Sequence, residues 1–366
     1  MSTKSGEVQP PVADRATEDH RSPRLLVVGS FPASAPLERY PSGDLVVRLR
    51  MRGWRVLATS RAESRLGRPW NMIRAVLRDH RRYDVALVDV FSGPAFLWAE
   101  AVVLSLRALR KPFVLVLHGG NLPDFARLWP SRVRRLLDRA GAVTSPSPYL
   151  ATQLERFRGD IRCLPNAIDV SRFLLRACDR MGSELVWLRA FHEMYNPMLG
   201  PAVLARLISE YPEARLTMIG PDKGDGSLER TRRAAAVLGV SGACRFVGGV
   251  EKREVPAWLA KGDIFLNTTN VDNAPVSVIE AQAAGLCVVS TNVGGIPYLL
   301  ENEKDALLVA PCDARAMAEA VRRLLVEPGL AASLSQNGRL KAERFDWSYI
   351  VPEWESLIRL AAKGGV

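Results

Sequence analysis

The chain alternates short apolar runs with stretches of helical spacing. In its N-terminal half, the apolar runs that predict strands are residues 24–29, 54–58, 85–90, 113–118 and 141–144. Such short runs are typical of parallel strands that are buried on both faces. Helical spacing follows over residues 45–52, 95–109, 132–139 and 148–156. This β-α-β rhythm predicts a doubly wound parallel sheet.

The rhythm starts again in the C-terminal half. Predicted strands lie at residues 185–188, 215–220, 244–247, 263–267 and 287–290, with helical spacing over 201–210, 227–238, 255–261, 276–284 and 314–326. The fold class is therefore α/β, with two Rossmann-like doubly wound domains facing a central cleft. The predicted boundaries are 1–22 for a disordered leader, 23–172 for the first domain, 173–183 for a linker, 184–343 for the second domain and 344–366 for a C-terminal helix.

The net charge of +11 in 366 residues lies in one half of the chain. Residues 1–170 hold 27 basic and 16 acidic side chains, whereas residues 171–366 hold 23 of each. A basic first domain suits nucleic acid, an anionic membrane or an acidic ligand, and an arginine-rich coding bias is the alternative. The 48% of hydrophobic residues exclude a disordered or collagen-like protein.

The cysteine and histidine spacings and the lengths of the apolar runs predict neither a metal site nor a membrane-spanning helix. The five cysteines show no Cys-x-x-Cys spacing, and Cys244 and Cys287 fall in apolar runs that suit buried free thiols. The four histidines lie far apart, so no metal site is predicted. No run approaches the ~18 apolar residues of a membrane span. We expect a soluble, cytoplasmic protein that attaches at most to the membrane surface.

Two carboxylates flank the start of the predicted helix at 276–284. Asp272 precedes this helix, Glu280 lies about two turns inside it, and Pro275 suits its first turn. Free N–H groups at a helix start favour an anionic or hydroxyl-rich ligand. The two carboxylates would then hold the hydroxyls of a sugar and a ribose. The alternative is ordinary capping by Asp272 and a solvated Glu280.

These residues also carry a family resemblance. Asp-x7-Glu is followed by Ala-Gly-Leu-Cys-Val-Val-Ser-Thr-Asn-Val-Gly-Gly-Ile-Pro over 284–297, which resembles the donor-site signature of family 4 glycosyltransferases. The usual pattern is Glu-x7-Glu, a helix, a strand and x-Val-Gly-Gly-x-Pro. Pro-Asn-Ala-Ile-Asp-Val-Ser-Arg-Phe over 165–173, His-Gly-Gly over 118–120 and the turn at 144–149 match in order. The resemblance runs from about residue 24 to 358 and is denser in the C-terminal half.

The resemblance implies retaining, metal-independent enzymes of the GT-B fold, with an acceptor-side first domain, a nucleotide-sugar-binding second domain and a C-terminal helix that crosses back to the first. No cofactor is implied, since the nucleotide-sugar is a substrate. The implied catalytic residues are Asp272, Arg189 and His118, with Arg189 stabilising the leaving diphosphate. A structural histidine is the alternative for His118. The implied donor-binding residues are Glu280, Asn273, Ala274, Pro275, Val276, Val247, Gly294, Gly295 and Gly43.

The sequence departs from the family pattern at several positions. Asn196 stands where a phosphate-binding lysine is usual, and Lys223 after the next strand is a candidate substitute or an ordinary loop lysine. Only Gly43 remains of the Gly-Gly expected near the diphosphate, and Tyr298 replaces a carboxylate. These changes indicate either a subgroup with its own donor contacts or a weakened enzyme.

The leading hypothesis is a retaining glycosyltransferase that uses a UDP- or GDP-sugar. Its acceptor would be a glycan or a lipid-linked molecule, in the synthesis of surface polysaccharide or glycolipid. The arginines of 48–55 and 132–139 would face an anionic membrane, on its inner face. A nucleic-acid-binding protein is disfavoured, because no RRM, KH, helix-turn-helix or zinc signature appears. A partner protein that keeps the fold without turnover and a sugar-nucleotide epimerase remain as alternatives.

Overall fold

The computed structural model describes residues 22–29, 31, 37, 42–59, 67–175, 181–327 and 329–364. The predicted leader, apart from Ser22, and residues 176–180 of the predicted linker lie outside them. Twelve strands in this described part form two parallel six-stranded sheets. The α/β prediction with two Rossmann-like domains is thereby confirmed.

The first sheet is built from residues 25–163. Its strands and helices are β1 (Leu25–Val28), α1 (Gly43–Met51), β2 (Val56–Ala58), α2 (Gly67–Arg78), β3 (Val85–Val90), α3 (Pro94–Ala108), β4 (Phe113–Leu117), α4 (Leu122–Leu128), α5 (Pro130–Leu137), β5 (Ala142–Ser145), α6 (Pro148–Leu154) and β6 (Arg162–Cys163). The strand order is β2-β1-β3-β4-β5-β6. The chain reverses its winding between β1 and β3, which is where open α/β sheets bind ligands.

The second sheet follows residue 183. Its elements are β7 (Glu184–Leu188), α7 (Leu199–Leu207), β8 (Arg215–Ile219), α8 (Ser227–Val237), β9 (Cys244–Gly248), α9 (Val255–Leu259), β10 (Ile264–Asn267), α10 (Val276–Ala283), β11 (Cys287–Thr291), α11 (Ile296–Leu299), β12 (Leu307–Val309), α12 (Ala314–Val326) and α13 (Leu330–Glu343). The order β12-β11-β10-β7-β8-β9 is that of a dinucleotide-binding sheet, with its switch point between β7 and β10.

The chain ends in helix α14 (Trp347–Ala362), which packs on the first sheet. Trp347 and Trp354 join the core formed by β1, β3 and β4, and Trp54 Nε1 donates to Glu355 Oε1 at 2.9 Å. Just before this helix, Ile168 N donates to the Phe345 carbonyl at 2.9 Å. The second domain is thus connected to the first by two neighbouring chain segments.

Four helices, α2, α4, α11 and α13, were not predicted, and α11 is only four residues long. Helices α2 and α4 follow segments rich in polar residues, glycine or proline, which obscure a helix start. Helix α13 contains Gly338, which lowers its helical signal. A Cβ at Gly338 would lie 3.2 Å from Gln282 Cγ, so the glycine permits close packing of α13 on α10. Cys287 is buried as predicted, whereas Cys244 is only half-buried.

No helix in the described residues combines the length and the apolar character that a membrane crossing requires.

Candidate active site

A cleft of about 920 Å³ lies between the carboxyl ends of the two sheets. This volume is within the usual range for small-molecule sites. Both domains contribute charged or polar side chains to its wall, among them Ser42, Asp44, His118, Asn166, Arg189, Lys223, Lys252, Asp272, Asn273 and Glu280. The cleft therefore joins the switch points of both sheets.

Arg189 and Asp272 form an ion pair at the switch point of the second sheet. Arg189 directly follows β7, and Asp272 lies between β10 and α10. The Arg189 guanidinium stacks over the Tyr195 ring at 4.3 Å, and Asp272 Oδ1 accepts the Asn273 N–H at 2.9 Å. The Arg189 Nε is buried and has no hydrogen-bond partner among the described residues. This orphaned donor fits an anionic oxygen of a ligand.

Helix α10 begins without a side-chain cap, at Pro275. The proposed capping by Asp272 is wrong, because its two carboxylate oxygens bind Arg189 and the adjacent Asn273 N–H. The residues before the helix instead contact the first domain. Ser147 Oγ donates to Asn273 Oδ1, and Asn166 Nδ2 donates to the Ala274 carbonyl at 3.0 Å. In the first turn of α10, the Val278 N–H donates to the Pro275 carbonyl at 3.2 Å, and the N–H groups of Val276 and Ser277 remain available to an anionic or hydroxyl-rich ligand.

Gly294 and Gly295 lie directly behind this segment. A Cβ at Gly294 would lie 2.3 Å from the Asp272 carbonyl oxygen, and one at Gly295 would lie 1.8 Å from that of Asn273. Gly295 N also donates to the Asp272 carbonyl at 2.9 Å. The glycine pair therefore permits the close backbone approach that sets the position of Asp272.

Glu280 is buried in the cleft wall, so the alternative of a solvated side chain is wrong. Burial raises the pKa of Glu280 to about 7, against the opposing effect of the Lys252 ammonium. Asp44, on the first turn of α1, adds to the increase in pKa and forms an ion pair with Lys252. This cross-domain pair lies beside the carboxylate that the family resemblance assigns to the ribose.

His118 follows β4 on the opposite wall of the cleft. Its Nε2 lies 2.9 Å from Asp89 Oδ1, and its ring stacks on Phe91 with centroids 4.9 Å apart. The ring is only 7% exposed, so its orientation is fixed by these contacts. The structure thus brings His118 to the same cleft as Arg189 and Asp272.

The remaining candidate residues lie on the cleft wall or next to it. Gly43 is the first residue of α1, between Ser42 and Asp44, and a Cβ there would lie 1.7 Å from the Leu37 carbonyl oxygen. Val247 lies on β9, packed against the core on one face of the second sheet. Ala274 and Val276 line the cleft beside Asn273.

Lys223 lines the cleft as an exposed side chain, in the loop after β8. Asn196 instead adopts a left-handed conformation, with φ 44°, and contacts Asn270. The prediction that Lys223 replaces the missing phosphate-binding lysine implies that Lys223→Ala raises the KM for a nucleotide-sugar about tenfold. Steady-state kinetics test this, with Lys261→Ala as the control outside the cleft wall. Unchanged kinetics for Lys223→Ala would show that Lys223 is an ordinary loop lysine.

Sequence reasoning did not single out Ser42, Asp44 and Lys252 of the cleft wall, or Asp89, which contacts Ser42 and His118 behind that wall. Asp44 and Lys252 are separated by 208 residues and meet only when the domains face each other. Asp89 ends β3, and its position at the switch point was the available signal. The described residues contain no group of three or more His, Cys, Asp or Glu side chains suited to a metal ion.

Known families match both domains. The family described as Glycosyltransferase Family 4 matches residues 25–172, and the one described as Glycosyl transferases group 1 matches residues 192–327. The D-inositol 3-phosphate glycosyltransferase 2 of Catenulispora acidiphila is 33% identical over 273 residues, covering 69% of this chain and 63% of that protein. A GDP-mannose-dependent alpha-(1-6)-phosphatidylinositol monomannoside mannosyltransferase of Mycobacterium tuberculosis is 27% identical over 247 residues, covering 62% of each. The chain spans less than two thirds of the length of these relatives.

Solved structures share the architecture across nearly the whole chain. HepE of Anabaena, in complex with UDP and glucose, superposes with a TM-score of 0.73 at 15% identity, covering 92% of this chain and 99% of that one. Sucrose-phosphate synthase of Thermosynechococcus elongatus gives a TM-score of 0.74 at 18% identity, covering 93% and 98%. At this identity the likeness concerns the fold. With both domains matched in sequence and the two-sheet architecture shared, the chain belongs to the group 1, family 4 glycosyltransferases and has the GT-B fold.

Proposed function

We propose that this protein transfers a sugar from a nucleoside diphosphate sugar to a hydroxyl acceptor with retention of anomeric configuration. The observation that carries the proposal is the Arg189–Asp272 pair at the uncapped start of α10, with the buried Arg189 Nε unpartnered. A fixed cation beside free helix N–H groups suits a leaving diphosphate, on which negative charge develops.

The chemistry assigned to each side chain follows from its place in the cleft. Arg189 stabilises the departing diphosphate, and Asp272 accepts hydrogen bonds from hydroxyls of the donor sugar. Glu280 accepts them from the ribose. His118, across the cleft, contacts the donor sugar or the incoming hydroxyl. Such a site acts by positioning and charge stabilisation, with the leaving phosphate taking the proton of the acceptor.

Thermal-shift screening against UDP-, GDP- and ADP-sugars tests the donor class. A donor present at 100 times its Kd stabilises the folded state by roughly 2.7 kcal/mol. We expect a UDP- or GDP-sugar to raise Tm, since HepE was solved with UDP and the mycobacterial relative is named for GDP-mannose. A sugar-transfer assay on the same donor completes the test. A Tm increase without transfer would favour the alternative of a binding protein that has lost turnover.

The proposed acceptor is a glycan or a lipid-linked molecule, reached at an anionic membrane on its inner face. Of the two arginine-rich segments, 48–55 has three of its four arginines, Arg48, Arg50 and Arg52, bonded within the protein. Arg48 pairs with Asp169 at 2.7 Å, and Arg52 pairs with Glu355 at 2.7 Å. We therefore do not assign this segment to the membrane surface.

The junction of α4 and α5 fits a membrane surface better. Leu128 is 76% exposed and Trp129 is 50% exposed, and the exposed Arg134 and Arg135 follow on α5. Exposed apolar side chains beside arginines are the combination that inserts at an anionic lipid interface. A membrane-facing α4–α5 junction supports the proposal that the protein acts in the synthesis of a surface polysaccharide or a glycolipid.

The double substitution Leu128→Ser and Trp129→Ser tests this surface. We expect partitioning onto vesicles rich in phosphatidylglycerol to fall at least tenfold, because two interfacial side chains are lost. The control is Val237→Ser with Leu238→Ser, an exposed apolar pair on α8 of the second domain. Co-sedimentation at low and high salt provides the measurement. Equal losses in both variants, or in neither, would remove the α4–α5 junction from the proposal.

A further inference from the structure

We propose that Asp89 is a positioning residue that fixes the tautomer and the ring orientation of His118. Asp89 Oδ1 lies 2.9 Å from His118 Nε2 and also accepts the hydroxyl of Ser42. This inference rests on the proposed function only for the role of His118 in transfer. The tautomer itself is a property of the unliganded protein.

Asp89 occupies a site built around its carboxylate. The side chain is only 4% exposed, and no lysine or arginine pairs with it in the part of the chain that the structure describes. Its Oδ2 lies against Gly29, where a Cβ would be only 2.4 Å away. Among the described residues, the Ser42 hydroxyl and the His118 ring are the groups that donate to this buried carboxylate.

The hydrogen bond settles which ring nitrogen of His118 carries the proton. A carboxylate only accepts hydrogen bonds, so His118 Nε2 is the protonated donor. In the neutral ring, Nδ1 then carries the lone pair, and it has no hydrogen-bond partner among the described residues. Because Phe91 stacks on the ring, the plane of the imidazole is fixed as well. Nδ1 is thereby held ready to accept a hydrogen bond from a sugar or acceptor hydroxyl.

Ser42 extends this arrangement to the donor side of the cleft. It directly precedes α1, whose first turn carries Asp44, the partner of Lys252 in the second domain. The Ser42–Asp89–His118 chain therefore links the start of α1 to the ring that faces the acceptor. Asp89 lies near the end of β3 and His118 follows β4, and these two strands are neighbours in the sheet.

Nitrogen-15 NMR of histidine-labelled protein tests the proposal without any substrate. At pH 8 the His118 signals, assigned by their loss in His118→Gln, should show a protonated Nε2 and an unprotonated Nδ1. In Asp89→Asn, whose amide can also donate, we expect a mixture of both tautomers. Asp79→Asn is the control, since Asp79 is an equally buried carboxylate that pairs with Arg78 and Arg82.

Kinetics provide the second measurement. We expect Asp89→Asn to lower kcat for sugar transfer at least tenfold while the donor KM stays within twofold, and Asp79→Asn to change neither. Ser42→Ala should give a smaller loss in kcat, since the carboxylate remains.

A wild-type spectrum with protonated Nδ1, or an unchanged tautomer in Asp89→Asn, would overturn the proposal. If Asp89→Asn fails to fold, the wild-type spectrum alone decides. An absence of transfer with every donor would count against the proposed function and leave the tautomer result intact.

Discussion

Replacing Arg189 with lysine is expected to lower kcat/KM for the nucleotide-sugar by about 10²–10³-fold while the fold is retained. Lysine keeps one positive charge but lacks the planar fork of the guanidinium. In the structure one Nη of Arg189 binds Asp272, the ring of Tyr195 supports the guanidinium plane, and Nε remains free for a ligand. A lysine ammonium is a point charge on a flexible stem, so it does not hold the carboxylate and the diphosphate in the fixed planar geometry of the guanidinium. Steady-state kinetics with the donor found by thermal shift provide the measurement.

A double-mutant cycle separates the effect on the donor from the effect on the fold. Arg189→Ala leaves the buried Asp272 without its cation, which should lower the free energy of unfolding by roughly 3 kcal/mol. Arg189→Ala combined with Asp272→Asn removes both charges and should recover most of that stability. Transfer should stay lost in the double variant. If transfer returned together with stability, neither charge of the Arg189–Asp272 pair would be needed for transfer.

The sequence predicted the second domain's part of the site well, because that part is local in the chain. Asp272 and Glu280 belong to one loop and its helix, and Arg189 ends a strand that apolar patterning identifies. Parallel strands bring their carboxyl ends to one edge, so strand prediction alone placed these residues near each other. Only the structure excluded the two alternatives, because Glu280 is buried and the carboxylate of Asp272 binds Arg189 and the adjacent Asn273 N–H.

The contacts between the domains were not predictable from the sequence. Lys252 and Asp44 lie in separate domains, and each alone resembles a solvated surface charge. Likewise, the arginines of α1 carried the same sequence signal as those of α5. Only the folded structure shows that Arg48 and Arg52 form ion pairs within the protein, whereas the exposed Arg135 has no ion pair among the described residues. Net charge locates a basic domain, but it does not say which arginines remain available to a partner.

Glu280→Gln is expected to make the unliganded protein more stable above pH 7 and to abolish its stabilisation by the donor. Burial raises the pKa of Glu280 from 4.5 to about 7, so the folded state retains a proton that the unfolded chain releases. The free energy of unfolding therefore falls as pH rises from about 4.5 to 7. Above pH 7 the loss is complete and amounts to roughly 3 kcal/mol. Glutamine does not ionise, so the variant should match the wild type near pH 4 and exceed its stability at pH 8.

The variant should bind the donor more weakly, because a ribose diol can donate to both oxygens of a carboxylate. The glutamine amide has one acceptor oxygen and places an NH2 donor where the second oxygen was. Thermal unfolding at pH 5, 6.5 and 8, with and without donor, measures both effects in one series. Glu184→Gln is the matched control, since burial also raises the pKa of Glu184, at the start of β7 outside the cleft wall. That variant should keep the full donor-induced increase in Tm. If the Glu280→Gln variant gains stability at pH 8 and still binds the donor, Glu280 is a buried acid that takes no part in donor binding.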